Sequence, residues 1–368
     1  MPEAQLLRIE VSKGALQHNV GVFQDLLPDK KIIGVLKSNA YGHGLALVGR
    51  ALDQDERVVA YAVDSLVEAR DLRASGIKKP ILLIGYVPRA ALAAVKKMSD
   101  VTLMVTSLEQ AKDLVRLVDF PLDVHVKVNT GMHRQGVEID QLQETFEVLD
   151  TNSSICVTGL ASHLADADGE EETATRAQLD RWKEAVEIAA RIHANLDLHI
   201  GATAGTYFVN DAPSTHVRVG IGLYGYDMIP DRRLDLRPAL SLFAKLTNVR
   251  TIPAGEAYGY NGTYVAKEDT RLAIVPAGYQ EGLWRAASSK GVMRLKGAVC
   301  PIVGRVSMNL TAIDIVDVPE ASLEDEVEVI SSDPKAPNSI ENIAKTCGNI
   351  GHDTFVGLDG GIRRILVP

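Results

Sequence analysis

The stretch VLKSNAYGHG, Val35 to Gly44, decides how this 368-residue chain is read. The apolar run Ile32, Ile33, Val35 and Leu36 stops at Lys37, and small or polar residues follow at once. That pattern is a buried strand delivering one amine to its carboxyl end, where a glycine-rich loop takes over. Desolvation disfavours an ammonium, so a lysine at this point is costly unless it has a task. A neutral amine on a rigid strand end suits imine chemistry. A lysine that snorkels from the strand end into water is the plainer alternative.

Outward from this stretch the chain repeats one unit. Ser12 can cap a helix whose Leu16, Val20, Phe23 and Leu27 form one stripe, with Pro28 closing it. After the lysine strand come VVAYAV (58–63), ILLIG (81–85), VTLMV (101–105), VHVKV (124–128), ICVTGLA (155–161), LDLHI (196–200) and VRVGI (217–221). Ser65 with Glu68, and Thr106 with Glu109, have the spacing of capping boxes that open helices between strands. A long helix after the sixth strand carries Leu179, Trp182, Val186 and Ala189 on its inner stripe. Eight short buried strands alternating with helices imply a parallel sheet closed into a (β/α)₈ barrel. A doubly wound open sheet is the competitor, but no G-x-G-x-x-G follows the first strand.

Past about Leu236 the periodicity changes to two, with short strands punctuated by Gly and Pro. The expected division is residues 1–235 for the barrel and 236–368 for a mainly-β domain, in keeping with a length beyond what one core supports. A formal net charge of −9 argues against a nucleic-acid partner. No apolar run approaches the roughly 20 residues that span a bilayer, and no signal-peptide core is seen, so the expected location is the cytoplasm. The three cysteines (Cys156, Cys300, Cys347) are far apart and fit a reducing compartment. The acidic run from Asp166 to Glu172 lacks calcium-loop spacing, and the nine histidines lack zinc spacing, so no metal is expected.

Barrels place their active sites at the carboxyl ends of the strands, and several strands here end in polar groups. KVNTGMHRQG (127–136) closes the fifth with Lys127 and Arg134, Ser162 and His163 close the sixth, Thr203 follows the seventh, and Arg218 lies in the eighth. Each has a dull explanation alone, such as a surface ion pair or a hydrogen-bonded core histidine. Their joint occurrence at one face is harder to dismiss.

Lys37 in VLKSNAYGHG, Arg134 in KVNTGMHRQG, Arg218 in VRVGIGLYG and Tyr260 in YGYNGTY resemble the signature motifs of bacterial alanine racemases. The similarity runs from the first helix to the terminal GIRRILV. It implies a pyridoxal 5'-phosphate enzyme, a homodimer, and an active site completed by a tyrosine from the partner subunit. By resemblance, Lys37 holds the cofactor and serves as one base. Tyr260 is the second base, on the opposite face of the substrate Cα, with His163 and Arg218 as its relay. Arg218 also meets the pyridine nitrogen, where a guanidinium cannot readily protonate the ring. Tyr41, Thr203, the backbone of Gly220 and Ile221, and Tyr279 match phosphate ligands. Arg134 and the backbone of Met308 match carboxylate contacts, and Lys127 matches a position often carbamylated.

The resemblance has departures. Asn309 stands where aspartate is common, and His352 where tyrosine is usual; Arg285 and Arg305 match entrance positions or are structural ion pairs. The implied activity is interconversion of L- and D-alanine, supplying D-alanine for peptidoglycan. A related barrel racemase or decarboxylase acting on another amino acid, and a non-catalytic cofactor-binding barrel, are the alternatives.

Overall fold

The computed structural model describes residues 5–227 and 234–368. Two compact units emerge, one of residues 16–40 and 48–236, the other of residues 1–15, 41–47 and 237–368.

The first unit is the barrel. Eight parallel strands pair in sequence order from Lys31–Val35 through Asp197–His199, and the last, His216–Val219, returns beside the first. Thr215 N donates to Leu198 O (2.9 Å) and Arg218 N to Gly201 O (3.0 Å), which brings the remaining edges nearly to closure. All eight expected strands form. The lysine strand is buried after its first residue, as expected where a helix covers the outer face of a parallel sheet. The first capping box is present at Ser65 and Glu68. The expected box at Thr106 and Glu109 does not form: Ser107 caps the helix by accepting from Gln110 N, and Gln110 Oε1 accepts from Thr106 N, one residue before the cap. On the long helix Thr173–Ala190, Ala185 rather than Val186 is fully buried beside Leu179, Trp182 and Ala189.

The second unit is a nine-stranded sheet with two short helices, Ile340–Cys347 and Gly351–Val356. Its order differs from a division of the chain at 235/236. The N-terminal strand Leu7–Ser12 pairs antiparallel with Leu240–Lys245 and parallel with Arg363–Val367, so residues before the first helix belong to this sheet. The edge strand at the C-terminus needs this partner, because its own chain neighbours are helical or turn. Among the described residues no helix is long and apolar enough to cross a membrane.

The lysine stretch departs from the open glycine loop expected of it. Ser38, Asn39, Ala40 and Tyr41 have φ of 50–55°, and Gly42 has 78°, so the chain makes a left-handed turn straight after the strand. Such a turn costs L-residues roughly 1–2 kcal/mol each and persists only where surroundings over-determine it. At its start, Ser38 N donates to Glu68 Oε1 at 2.6 Å. At its end, Gly42 O accepts from Arg364 Nε at 2.7 Å, and a Cβ on Gly42 would stand 2.1 Å from Phe355 O. Gly42→Ala therefore meets both a forbidden φ and a backbone clash. We expect it to lose on the order of 2–4 kcal/mol in urea unfolding, whereas Gly76→Ala, with positive φ but nothing within reach, loses less.

Candidate active site

The barrel mouth is organised by a buried cation. Arg218 is 7% exposed, and among the described residues each hydrogen-bond partner of its guanidinium is neutral. Nη1 donates to His199 Nδ1 (2.7 Å) and His199 O (2.6 Å). Nη2 donates to Ser162 O (2.7 Å), His163 Nδ1 (3.1 Å) and Ile200 O (3.2 Å). Burial pulls its pKa down to about 10, which still leaves it charged at neutral pH. Nε has no partner among the described residues, so one donor of the fork is left over.

An arginine only donates, so the tautomers of its neighbours follow. His199 and His163 accept at Nδ1 and carry their protons on Nε2. His199 Nε2 lies 2.8 Å from His125 Nδ1, to which it donates. Burial is the main cause that lowers His125 and His163 to about 3, and that holds His199 well below its ordinary value. The cation of the expected relay is thus Arg218 alone, and His163 is a neutral donor. The His125–His199 pair was not anticipated. Its signal was two histidines in inner strands, VHVKV and LDLHI, that flank the strand ICVTGLA on either side. Gly159 makes the room, since a Cβ there would stand 2.6 Å from the His125 ring.

Four cations act on His163: Arg218, Lys127, Arg134 and Lys37, with no carboxylate among them. The mouth thus gathers the expected residues of the first, fifth, sixth and eighth strands. Lys37 is half-buried just past the first strand, and Arg134 is exposed on the loop after the fifth. Asn129 shapes that loop: its Oδ1 accepts from Gly131 N and His133 N, both at 3.1 Å. Gln178, also unanticipated, reaches from the long helix to bond Thr130 Oγ1, His163 O and Ala165 N. Lys127 lies 3.4 Å from Gln135 Oε1, and burial first, then Arg218, Arg134 and Lys37, lowers it to about 8.

After the seventh and eighth strands, Thr203 Oγ1 accepts from Gly220 N (3.2 Å) and Gly222 N (3.1 Å), knitting the two loops together. Gly222 permits this, because a Cβ there would lie 2.4 Å from the Phe23 ring. Ile221 is buried at the start of a short 3₁₀ turn, Ile221–Tyr224.

The other expected residues lie in the second unit. Tyr258 pairs with Tyr264 in a two-stranded ladder, and both pack on Ile252, Leu272 and Val303. Tyr260 stands at the tip, 67% exposed, between Gly259 (φ 76°) and Asn261 (φ 62°). Tyr279 N donates to Ser307 O and Gln280 N to Met308 O, which holds the exposed Tyr279 and Met308 side by side. Asn309 Nδ2 donates to Glu281 Oε1 at 2.8 Å, and Glu281 Oε2 accepts from Gly278 N. The carboxylate absent from position 309 is therefore supplied by Glu281, and aspartate at 309 would oppose it. His352 faces Tyr41 with ring centroids 6.0 Å apart, and burial pushes the Tyr41 phenol up to about 12. Among the described residues Arg285 and Arg305 form no ion pair.

The profile described as "Alanine racemase, N-terminal domain" matches residues 11–228, and that of the C-terminal domain matches residues 239–366. The chain belongs to the alanine racemase family. An alanine racemase of Syntrophobacter fumaroxidans is 34% identical over 95% of this chain and 94% of its own. An "Alanine racemase 2" of Caldanaerobacter subterraneus is 32% identical over 99% and 96%. The crystal structure of alanine racemase from Bacillus anthracis with bound L-Ala-P superposes with a TM-score of 0.90 at 28% identity, covering 100% of this chain and 96% of that one. Membership in the alanine racemase family makes the reaction class racemisation, an isomerisation.

Lys127 generates a prediction with a definite sign. Its pKa is lower in the folded protein than in the unfolded chain, so the unfolded state binds more protons between about pH 8 and the usual lysine range near 10.4. Stability from this group is lost below that window and recovered as pH rises through it. In CO₂-free buffer Lys127→Met is expected to raise the melting temperature at pH 7, with the advantage fading above about pH 8. An advantage that grows with pH would contradict the assignment.

Proposed function

We propose that this protein interconverts L- and D-alanine by a two-base mechanism dependent on pyridoxal 5'-phosphate, as a homodimer whose subunits share active sites. The observation that carries this reading is the barrel mouth itself: the Lys37 amine past a strand end acts on His163 together with three further cations, Arg218, Lys127 and Arg134. Such a site suits a ligand that brings a phosphate and a substrate that brings a carboxylate.

The residues fit the cofactor. Arg218 Nε is the one leftover donor of a guanidinium otherwise fully bonded, and a pyridine nitrogen is an acceptor of matching valence. Thr203, Gly220 and Ile221, with Tyr41 and Tyr279, would hold the phosphate, and Lys37 would hold the aldehyde carbon. When bound, the cofactor supplies an electron sink that acidifies the substrate Cα–H. Arg218 keeps its own proton at that nitrogen, which limits the sink and favours return of the proton to Cα over transamination.

Racemisation removes a proton from one face of Cα and delivers one to the other. Lys37 Nζ handles one face, and Tyr260 of the partner subunit handles the other. The exposed position of Tyr260 at a hairpin tip suits donation to a second copy. A phenol near pKa 10 is a poor base at neutral pH. His163 Nε2–H, polarised through Nδ1 by Arg218, would stabilise the phenolate. Arg134 and the Met308 backbone of the partner subunit would orient the substrate carboxylate, and a carbamate on Lys127 would orient Arg134. D-Alanine made in the cytoplasm would serve peptidoglycan synthesis.

Two variants test this. Tyr260→Phe is expected to bind pyridoxal 5'-phosphate with an unchanged visible spectrum and to racemise L-alanine about 10²- to 10⁴-fold more slowly, read by polarimetry. Near-normal turnover would refute the second base. Lys37→Ala is expected to lose the visible band that borohydride bleaches in the parent, and retention of that band would overturn the anchor.

A further inference from the structure

A cavity of about 450 Å³ opens in the second unit beside the 3₁₀ turn Arg285–Ala287, the hairpin strands Val292–Leu295 and Ala298–Val303, and the helix Ile340–Cys347. Its wall is apolar where Leu283, Ile302 and Ile343 are buried. Its rim carries Lys290, Lys335 and Lys345, all exposed, and no acid lines it. Some exposed lysines elsewhere have found carboxylates, Lys96 with Asp119, Lys183 with Asp180 and Lys296 with Asp325, while others such as Lys97 and Lys267 have none among the described residues. None of the three rim ammonium groups has such a partner among the described residues.

One unpaired surface lysine is ordinary. Three around a single apolar cavity, in a chain of net charge −9, with no acid in the lining, favour an anionic occupant there. The volume falls in the range of small-molecule sites, roughly 300–1,000 Å³. An apolar body would fill the wall, and a head of two negative charges would reach the rim.

We propose that this cavity binds a small amphipathic anion, an apolar body bearing a phosphate-type head, at a site none of whose lining residues belongs to the catalytic set. The site lies wholly in residues 283–347, so the proposal does not depend on the racemase mechanism.

Cys347 lies in the lining, half-buried, and reports on occupancy. Burial pushes its thiol up, with Lys290 opposing. The experiment follows iodoacetamide alkylation of Cys347 in the full chain by peptide mass spectrometry, with three probes: 1-naphthyl phosphate, inorganic phosphate and 1-naphthol. 1-Naphthyl phosphate is expected to slow alkylation saturably, and the other two to need at least about tenfold more for equal protection. Lys290→Glu combined with Lys345→Glu should raise the protecting concentration about tenfold, and the matching Lys→Arg pair should leave it unchanged. Melting curves confirm folding of each variant. Equal protection by inorganic phosphate or by 1-naphthol, protection indifferent to charge reversal, or no protection by 1-naphthyl phosphate would each overturn the proposal.

Discussion

A fully charged guanidinium sits in the upper barrel without a carboxylate, and the rest of the mouth is built to make that tolerable. An uncompensated buried cation is among the more expensive features a fold can carry. Arg218 meets it with three backbone carbonyls and two imidazoles. Those acceptors must stay neutral. The same burial that lowers the arginine's pKa holds His163, His199 and His125 neutral, and each imidazole's accepting nitrogen faces its donor. The arrangement is self-consistent: a protonated histidine in this set would confront the arginine with a donor and a like charge.

The absence of an acid beside Arg218 also decides what the mouth can bind. A carboxylate there would satisfy the guanidinium and cancel the field that Lys37, Lys127 and Arg134 share. Neutral acceptors leave that field directed outward, toward ligands bringing their own negative charge. The lowered pKa of Lys127 has the same origin, since desolvation and three neighbouring cations act together on its ammonium.

The lysine turn shows how the two units divide one strained element. Its first residues fall in the barrel unit and its last in the β unit. Left-handed backbone over four non-glycine residues is not locally favourable, so each end is fastened where it lies, by Glu68 at one and by Arg364 and the Phe355 backbone at the other. Lys37 is therefore followed by a rigid turn, which suits a residue whose amine must be aimed rather than merely exposed.

Eight strands, their order, and the polar groups ending several of them were legible in the chain, because a parallel strand buried on both faces writes itself as a short apolar run. Lys37, Arg134 and Arg218 were legible as cations at the last strand residues or in the loops that follow them. Three things were not. The N-terminal strand joined the far sheet because an edge pairing between residues 8 and 363 leaves no local periodicity to read. The left-handed sense of the lysine turn depends on contacts made hundreds of residues away. The pairings of Arg218 with His199, of His199 with His125, and of Asn309 with Glu281 depend on where strands and loops meet in space. Sequence alone determined which residue types were available and on which strand ends. Tertiary structure decided which of them became neutral, which stayed charged and which way each donor points, because desolvation and hydrogen-bond direction are properties of the packed surroundings and not of the residue.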